Sequence, residues 1–532
     1  MANLDFAATQ QLKEILLALK KQGKTLLLSE HRLYYLADIA DEFWVMIDGE
    51  IKGKYTATEA KAFSAERRQT LSLRTLDLAE ITVPEKEPLP KTAPTVLAVG
   101  FALTILVGAL VLMLPVSAAD GQITPFLDAL FTAASASCVT GLVTVSTAVH
   151  WSVFGKCVIL LLIQIGGLGF MSVAAIASFV LRRTITLHER MVMSAGLNLS
   201  DGGGIVRLTR RVLFGTFIIE GTGAVLLSCR FVPHYGFPKG ITMGVFHAVS
   251  AFCNAGFDLM GTPDDPFQSL IGWAEDPLVN ITLMALIVLG GLGFFVWSDV
   301  WDKHSFYRLR LHTKIVLTAT AGLLLFGFGW TLLFEWSNPA TLGAFDTPHK
   351  LLAAAFESVT LRTAGFNTID LGALTGPSQA VSCLLMFIGG SPGSTAGGIK
   401  TVTAAVLVLT AISAFCGRTT VSAFGRTIAP RSIMNAVTLL MAGGVLCLVG
   451  ACAIAGIEDA PFHQCLFEAV SAFGTVGVSM GLTPTLSAAS CVILIVMMYM
   501  GRVGVLTLGV AVFMRRREPP RLKYPDADVF IG

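Results

Sequence analysis

Long apolar stretches alternate with charged connections along most of this 532-residue chain. Eight stretches reach or approach the roughly 20 residues that a helix needs to cross a bilayer, and they lie around 96–118, 157–181, 212–232, 279–300, 314–334, 379–413, 433–456 and 488–513. The pattern predicts an all-α polytopic membrane protein with eight spans. Residues 1–94 have no such run and end in a charged, proline-rich linker, so we expect a small α/β-like cytosolic segment ahead of the membrane part.

The sign of the charges in the connections predicts how the spans are oriented. Basic residues follow every second span, as at Arg182, Lys303, Arg418 and Arg515, whereas the intervening connections are acidic. Cytoplasmic loops of membrane proteins carry an excess of lysine and arginine. We therefore expect a multi-pass membrane protein with both termini in the cytoplasm and an outer face that attracts cations.

Composition supports a membrane protein and excludes several other classes. The chain is 54% hydrophobic and only 14% charged, with a mean hydropathy of +0.70, whereas soluble domains are about 25% charged. A net charge of +2 gives no argument for nucleic-acid binding. The ten cysteines are scattered without a CxxC pair, which predicts buried thiols rather than a metal site or disulfides. We expect no enzyme activity, no catalytic residues and no cofactor.

One sequence pattern recurs in the four acidic connections: an aromatic residue, then small and hydroxyl residues, then a glycine. It covers FTAASASCVTGL, FHAVSAFCNAGF, FESVTLRTAGF and FEAVSAFGTVGV, at residues 131–142, 246–257, 356–366 and 467–478. The glycines recur about every 110 residues, and such self-similarity marks a repeat architecture. We predict four pseudo-symmetric units of helix, pore half-helix, turn and helix around a central pore, with the third copy one residue shorter between its phenylalanine and its glycine.

The turns after the four half-helices are candidates for an ion-coordinating filter. A half-helix that enters from outside points its carbonyl end, with about half a negative charge, toward the bilayer centre. The turns can then aim backbone carbonyls at a shared axis, as a potassium filter requires. One such glycine alone would be read as a helix-packing contact, but four in register favour a pore. The predicted potassium-binding residues are Val139, Thr140, Gly141, Asn254, Ala255, Gly256, Thr363, Ala364, Gly365, Thr475, Val476 and Gly477.

The stretch at 379–413 differs from the other predicted spans because a glycine-rich run, residues 389–398, interrupts it. Irregular backbone at membrane depth is tolerated only where it lines a cavity or is buried in protein. The interruption therefore predicts a functional segment.

Together these motifs resemble the membrane subunit of the Trk/Ktr/HKT potassium transporters over about residues 95–515. The resemblance rests on the four turns, on IGGLGF at 165–170, on its counterpart at 289–294, on the broken segment at 389–400 and on GRVG at 501–504. It implies potassium uptake across the plasma membrane, a homodimer in the lipid bilayer and a cytosolic ring of nucleotide-binding regulatory subunits. Glycine in all four turns goes with potassium in this family, whereas serine in the first copy would indicate sodium.

The resemblance also implies a gate below the filter. Its members are an arginine in the last span and the glycine-rich loop of the third copy, here Gly390, Ser391, Pro392, Gly393, Ser394, Thr395, Gly397, Gly398, Lys400 and Arg502. For Arg502 the alternative is a salt-bridged structural arginine, since a lone arginine in a span is costly. For Lys400 it is a lysine that snorkels to the interface.

Two further charged residues inside the membrane part need partners. Arg362 would repel cations if it faced the pore, so we expect a partner behind the filter, with Glu357 and Glu468 as candidates. Glu220 is costly in lipid and is expected to pair with a neighbouring copy; an ion-coupling role is the alternative.

The first 90 residues resemble the end of an ABC-type ATPase domain. The resemblance rests on ANLD at 2–5, GKTLLLSEHR at 23–32 and WVMIDGEI at 44–51, and it would place Asp5 in the D-loop and make His31 the switch histidine. A helix at 6–21 and strands at 25–29 and 43–47 are predicted. No phosphate-binding GxxxxGK[ST] motif is present, because Ala18 stands where its first glycine should be. The fragment is therefore interpreted as a remnant docking domain, a gene fusion or a start-site artefact.

These features divide the chain into an ABC-like cytosolic fragment, a linker, four pore repeats and a cytosolic tail, at 1–82, 83–95, 96–204, 205–311, 312–429, 430–517 and 518–532. Two function classes remain open. The first is a potassium translocator, either channel-like or coupled to sodium or protons. The alternative is a component of an ATP-driven primary transporter, against which the missing phosphate-binding motif argues.

Overall fold

The computed structural model describes residues 16–20, 22–23, 25, 40–47, 50–56, 58–59, 92–169 and 205–504. The chain forms two compact units, Met1–Pro88 and Leu89–Gly532. In the first unit, β1 (Glu42–Ile47) pairs with β2 (Glu50–Thr56) as an antiparallel hairpin with a register shift between Val45 and Met46. The strand predicted at 43–47 lies in β1. Asp5, His31 and most of the strand predicted at 25–29 lie outside the described residues.

The described part of the second unit is helical apart from one small hairpin. In the first and fourth copies, a longer helix is followed by a short helix, a turn and a further helix. In the second and third copies, two helices follow the turn. The helices are α1 (Thr92–Leu112), α2 (Phe126–Cys138), α3 (Val153–Leu168), α4 (Ile205–Tyr235), α5 (Phe237–Phe252), α6 (Pro277–Leu292), α7 (Phe294–Lys303), α8 (Leu311–Glu335), α9 (Thr347–Thr360), α10 (Gly376–Phe387), α11 (Thr401–Phe415), α12 (Pro430–Ile457), α13 (Phe462–Gly474) and α14 (Ala488–Val503). The hairpin is β3 (Ser422–Ala423) with β4 (Arg426–Thr427).

Three of the described helices are long and apolar enough to cross a bilayer: residues 209–235 of α4, and α8 and α12. A fourth candidate is the pair α6 and α7, which is bent by 91°. The spans predicted at 157–181 and 488–513 extend past Gly169 and Gly504, where the described ranges end. The chain is therefore a mostly helical, polytopic membrane protein.

The stretch predicted as a span at 279–300 forms two helices in the structure, α6 and α7. The helix breaks at Gly293, which has a φ of +94°. The amide of the next residue, Phe294, donates to the carbonyl of Gly393 at 2.9 Å, so a segment from the third copy is hydrogen-bonded to the break. At 379–413, where an interruption is predicted, α10 ends at Phe387 and α11 begins at Thr401.

The short helices form the centre of this unit, and the long helices surround them. The repeated aromatic residues Phe131, Phe246, Phe356 and Phe467 on the short helices are all buried. By contrast, α1, α4 and α12 expose many apolar side chains, which suits helices that face lipid. The short helices therefore bring their carboxyl ends, and the turns after them, into the interior.

Candidate filter and gate

Each of the four turns has the same backbone conformation. The residue two positions before each glycine is left-handed, and so is the glycine itself. The φ values are +58°, +58°, +67° and +52° at Val139, Asn254, Thr363 and Thr475, and +98°, +71°, +86° and +94° at the glycines. Three of the four leading residues are β-branched, for which a positive φ is a genuine outlier. Such strain persists only where the surrounding structure over-determines it, and it clusters at functional sites.

The four turn glycines form a closed ring. A Cβ atom built on Gly256 would lie 2.6 Å from the Cα of Gly365, and one on Gly365 would lie 2.7 Å from the Cα of Gly256. One on Gly141 would lie 3.1 Å from the Cα of Gly256, and one on Gly477 would lie 2.9 Å from the Cα of Gly141. No side chain fits at these positions, because every glycine has a neighbouring turn against it.

Backbone carbonyls of the residues before the glycines lie at the same ring. The hypothetical Cβ of Gly141 would be 2.5 Å from the oxygen of Ala255, and that of Gly256 would be 2.8 Å from the oxygen of Ala364. The other two glycines meet the remaining two oxygens in the same way, those of Val476 and Thr140. The twelve residues predicted as filter are thus brought together, with one carbonyl from each copy at the ring.

Hydroxyl groups on the short helices hold the turns in place. Ser250 Oγ donates to the carbonyl of Phe257 at 2.7 Å, and Ser471 Oγ donates to that of Val478 at 2.6 Å. Thr360 Oγ1 makes the same bond to Phe366 at 2.6 Å. In the first copy, Ser135 Oγ accepts from the amide of Gly141 at 3.0 Å. The sequence analysis missed this set, although a hydroxyl residue five or six positions before each glycine was the available signal.

A cavity of about 220 Å³ opens on one side of the ring. All four turn glycines line it, together with the carboxylates of Asp258 and Asp370. Fixed negative charge at a concave surface raises the local concentration of cations. This arrangement suits the capture of a cation next to the carbonyl ring.

The glycine-rich loop of the third copy packs against the other side of the ring, where the first residues of the turns lie. Thr395 Oγ1 donates to Asn254 Oδ1 at 2.9 Å. A Cβ on Gly389 would lie 3.2 Å from Thr363 Cγ2, and one on Gly397 would overlap Thr475. The loop therefore contacts three of the four turns.

The LGGLGF motif of the second copy holds this loop. The amide of Ser391 donates to the carbonyl of Gly291 at 3.0 Å, and the amide of Thr395 donates to that of Gly290 at 3.3 Å. Within the loop, Ser394 Oγ donates to the carbonyl of Ser391 at 2.7 Å. The predicted gate residues Gly390, Ser391, Pro392, Gly393, Ser394, Thr395, Gly397 and Gly398 all lie in this segment.

Arg502 joins the loop to the first copy. Its guanidinium donates to the carbonyls of Thr395 and Gly166, and to that of Gly167 at 3.3 Å. All these partners are backbone carbonyls, and among the described residues no carboxylate forms a salt bridge with Arg502. Lys400 turns back onto the loop, where its Nζ donates to the carbonyl of Ala396 at 2.7 Å.

The prediction that Arg362 pairs with a carboxylate is wrong. Arg362 Nη2 donates to Thr401 Oγ1 at 2.9 Å and to the carbonyl of Gly389 at 3.4 Å. Within the part of the chain that the structure describes, both carboxylate oxygens of Glu357 are buried without a hydrogen-bond partner, and Glu468 is held by residues of its own copy. Arg362 therefore binds both ends of the broken segment and does not pair with either carboxylate.

Glu220 has its partners at the contact between the first and second copies. Gln164 Nε2 on α3 donates to both carboxylate oxygens, at 3.1 and 3.2 Å. The Cys253 thiol, next to the turn residue Asn254, lies 3.8 Å from Oε1. A pairing with a neighbouring copy was expected, and Gln164 supplies it. In the described ranges there is no group of three or more His, Cys, Asp or Glu side chains that could hold a metal ion.

The fold and this site define a polytopic helical membrane protein in which four glycine turns meet at one ring of carbonyls. Residues 71–518 match the family described as TrkH, cation transport protein. The chain belongs to this family.

Several curated proteins are similar to the chain. Ktr system potassium uptake protein B of Bacillus subtilis is 42% identical over 441 residues, which is 83% of this chain and 97% of that protein. Potassium/sodium uptake protein NtpJ of Enterococcus hirae is 39% identical over 458 residues, which is 85% and 100%. The crystal structure of the potassium transporter TrkH from Vibrio parahaemolyticus shares the fold, with a TM-score of 0.61 and 16% identity over 80% of this chain and 86% of that one.

The resemblance to an ABC-type ATPase is supported only over a short stretch of the chain. A putative ABC transporter ATP-binding protein of Treponema denticola is 31% identical over 80 residues, which is 15% of this chain and 16% of that protein. A similarity this limited carries no conclusion about ATP.

Proposed function

We propose that this protein takes up potassium across the plasma membrane through a filter made by its four turns. The observation that carries the proposal is the closed ring of glycines with one carbonyl from each copy, at Thr140, Ala255, Ala364 and Val476. Carbonyl oxygens can replace the hydration shell of a potassium ion. Relatives that are 42% and 39% identical over most of their length are named as potassium and potassium/sodium uptake proteins, which supports the same cargo.

The glycine-rich loop and Arg502 form the gate in this proposal. The loop contacts the turns on the side away from the acidic cavity, so an ion that leaves the ring must pass it. Arg502 locks the loop by binding Thr395 on one side and Gly166 on the other. A guanidinium among carbonyls also places a positive charge below the filter, which raises the barrier to a second cation.

The assembly that goes with this function has eight spans in four repeats and both termini in the cytoplasm. We propose a homodimer that works with a cytosolic nucleotide-binding regulatory ring. The repeated order of helices in the described residues and the family membership support this arrangement. The ABC-like segment at 1–82 has no role in the pore, and an intact-mass measurement of the native protein would show whether it is retained.

Transport in this proposal is driven by ion gradients without ATP, either channel-like or coupled to sodium or protons. Purified protein in liposomes should accumulate ⁸⁶Rb⁺ down an imposed potential with no nucleotide inside. Excess external K⁺ should abolish the uptake, and the same concentration of Na⁺ should reduce it much less. Uptake that requires ATP would support the rival, a component of a primary transporter. Equal competition by Na⁺ and K⁺ would contradict the filter assignment.

A further inference from the structure

One position behind the filter is occupied by three different residue types among the four copies. It directly follows the repeated phenylalanine and precedes the turn-holding hydroxyl residue by three positions, so the two share a helix face. The residues at this position are Thr132, His247, Glu357 and Glu468. All four are almost completely buried.

In the second and fourth copies this side chain binds the chain just past the filter. His247 Nε2 accepts from the amide of Leu259 at 3.3 Å, and Glu468 Oε1 accepts from the amide of Met480 at 3.1 Å. Leu259 and Met480 are both the third residue after their turn glycine. Thr483 Oγ1 also donates to Glu468 at 2.6 Å, so several donors share the charge of this carboxylate.

The third copy has a carboxylate at this position without these bonds. Glu357 is 1% exposed, and neither of its carboxylate oxygens has a hydrogen-bond partner among the described residues. Thr360, one helical turn later, binds the carbonyl of Phe366, which directly follows the turn glycine. The hydroxyl of Thr368, the third residue after that glycine, is also buried and unpaired. Glu357 therefore lies behind the third filter turn with its oxygens unoccupied by protein donors.

No charged group of the surrounding described elements neutralises Glu357. On α8, the carboxylate of Glu335 acts on it electrostatically and is itself held by neutral donors, among them Thr341 Oγ1 at 2.7 Å. The helix α6, which also packs on α9, contains no titratable side chain. Lys350, two turns earlier, donates to the carbonyl of Trp336, and Arg362 donates to Thr401.

A buried carboxylate without a partner is strongly unfavourable unless a proton or a cation compensates it. Glu357 shares a helix face with Thr360, which binds the carbonyl that directly follows the third turn glycine, so the cation that the proposed function supplies in this region is the ion in the filter. We propose that Glu357 is the counter-charge of that ion: a monovalent cation in the filter and a proton on Glu357 exclude each other. This inference rests on the proposed function. Because coupling between two bound ligands is reciprocal, protons should weaken cation binding and cation binding should release a proton.

The test is the apparent KM for ⁸⁶Rb⁺ uptake in proteoliposomes between pH 5.5 and 8.5. In the unmodified protein, KM should be several-fold higher at the acidic end. Glu357→Gln has nearly the same shape but cannot ionise, so its KM should be about tenfold higher near pH 8 and should lose the pH dependence that Glu357 causes. Acidic groups at the outer cavity, Asp258 and Asp370, remain in this variant, so any pH dependence that they cause would persist in it.

The matched control is Glu458→Gln. Glu458 lies just after α12 and accepts from the amide of Ser487 at 2.8 Å, away from the filter ring. Its replacement should keep the KM and the pH profile of the unmodified protein. A Glu357→Gln protein with an unchanged KM and an unchanged pH profile would overturn the inference while leaving the proposed function in place. Absence of Rb⁺ uptake by the unmodified protein would instead contradict the proposed function.

A measurement on the unmodified protein decides the matter if Glu357→Gln does not fold. K⁺ binding to the purified full-length protein, measured by calorimetry at pH 6 and pH 8, should be several-fold tighter at pH 8. In two buffers of different ionisation enthalpy, the heat at pH 6 should show a proton released on binding. Equal affinities with no proton release would refute the exclusion between proton and cation.

Discussion

Replacing Gly141 with serine tests the filter geometry at its first turn. The added Cβ would lie 2.5 Å from the carbonyl oxygen of Ala255, whereas ordinary contact begins at 3.4 Å, so the two turns must separate by up to about 0.9 Å (3.4 minus 2.5). Gly141 also has a φ of +98°, a conformation that costs a non-glycine residue about 1–3 kcal/mol.

The expected result is a loss of selectivity. If relaxation of the ring removes about 1.4–2.8 kcal/mol of the preference for potassium, the ratio of Rb⁺ to Na⁺ uptake falls by about 10- to 100-fold. The ratio is measured from the initial uptake rates of proteoliposomes. The protein is shown to be monodisperse before it is reconstituted.

Gly121→Ser is the matched control for this substitution. Gly121 has a φ of +69° in the connection between α1 and α2 of the same copy, and a Cβ there has no atom within 4 Å. It therefore reproduces the backbone strain without touching the ring, and its selectivity should stay as in the unmodified protein. The reasoning would be refuted by a folded Gly141→Ser protein with unchanged selectivity, or by an equal loss in both variants.

Further substitutions test the gate and the support of the filter. Arg502→Ala removes the link between the loop and the first copy, so basal Rb⁺ flux should rise severalfold, and unchanged or lower flux would count against the gate. Ser471→Ala leaves the carbonyl of Val478 and the amide of Gly477 without their hydroxyl partner, which should cost about 1–3 kcal/mol, seen as a lower thermal midpoint and weaker selectivity. Thr438→Ala removes a hydroxyl that binds only within its own exposed helix, and it should change neither quantity.

The turns were predictable from the sequence because a sharp turn with a left-handed backbone requires glycine, and each copy has a glycine at the same place. The fourfold spacing of Gly141 and its three counterparts then placed the turns in equivalent positions. The interruption near Gly389 was predictable for a similar reason, because five glycines and a proline within residues 389–398 disfavour a continuous helix. These are local properties of the chain, and local patterns are what a single sequence reveals best.

Partners between distant segments were less predictable. A carboxylate partner for Arg362 was expected from charge alone, but its neighbours are a carbonyl and a hydroxyl that the fold brings together from the broken segment. The break at Gly293 was missed because its GGLG motif also fits close helix packing. The role of Thr360 and its hydroxyl counterparts went unnoticed because serine and threonine also serve as small packing residues in membrane helices.

The most direct test of the central claim is the position of a heavy monovalent cation in crystals of the protein. Anomalous scattering from Rb⁺ or Tl⁺ should give its strongest peak on the axis of the ring, within coordination distance of the carbonyls of Thr140, Ala255, Ala364 and Val476. Excess K⁺ should remove the peak. An ordered ring without a peak, or a dominant peak elsewhere in the membrane unit, would contradict the account.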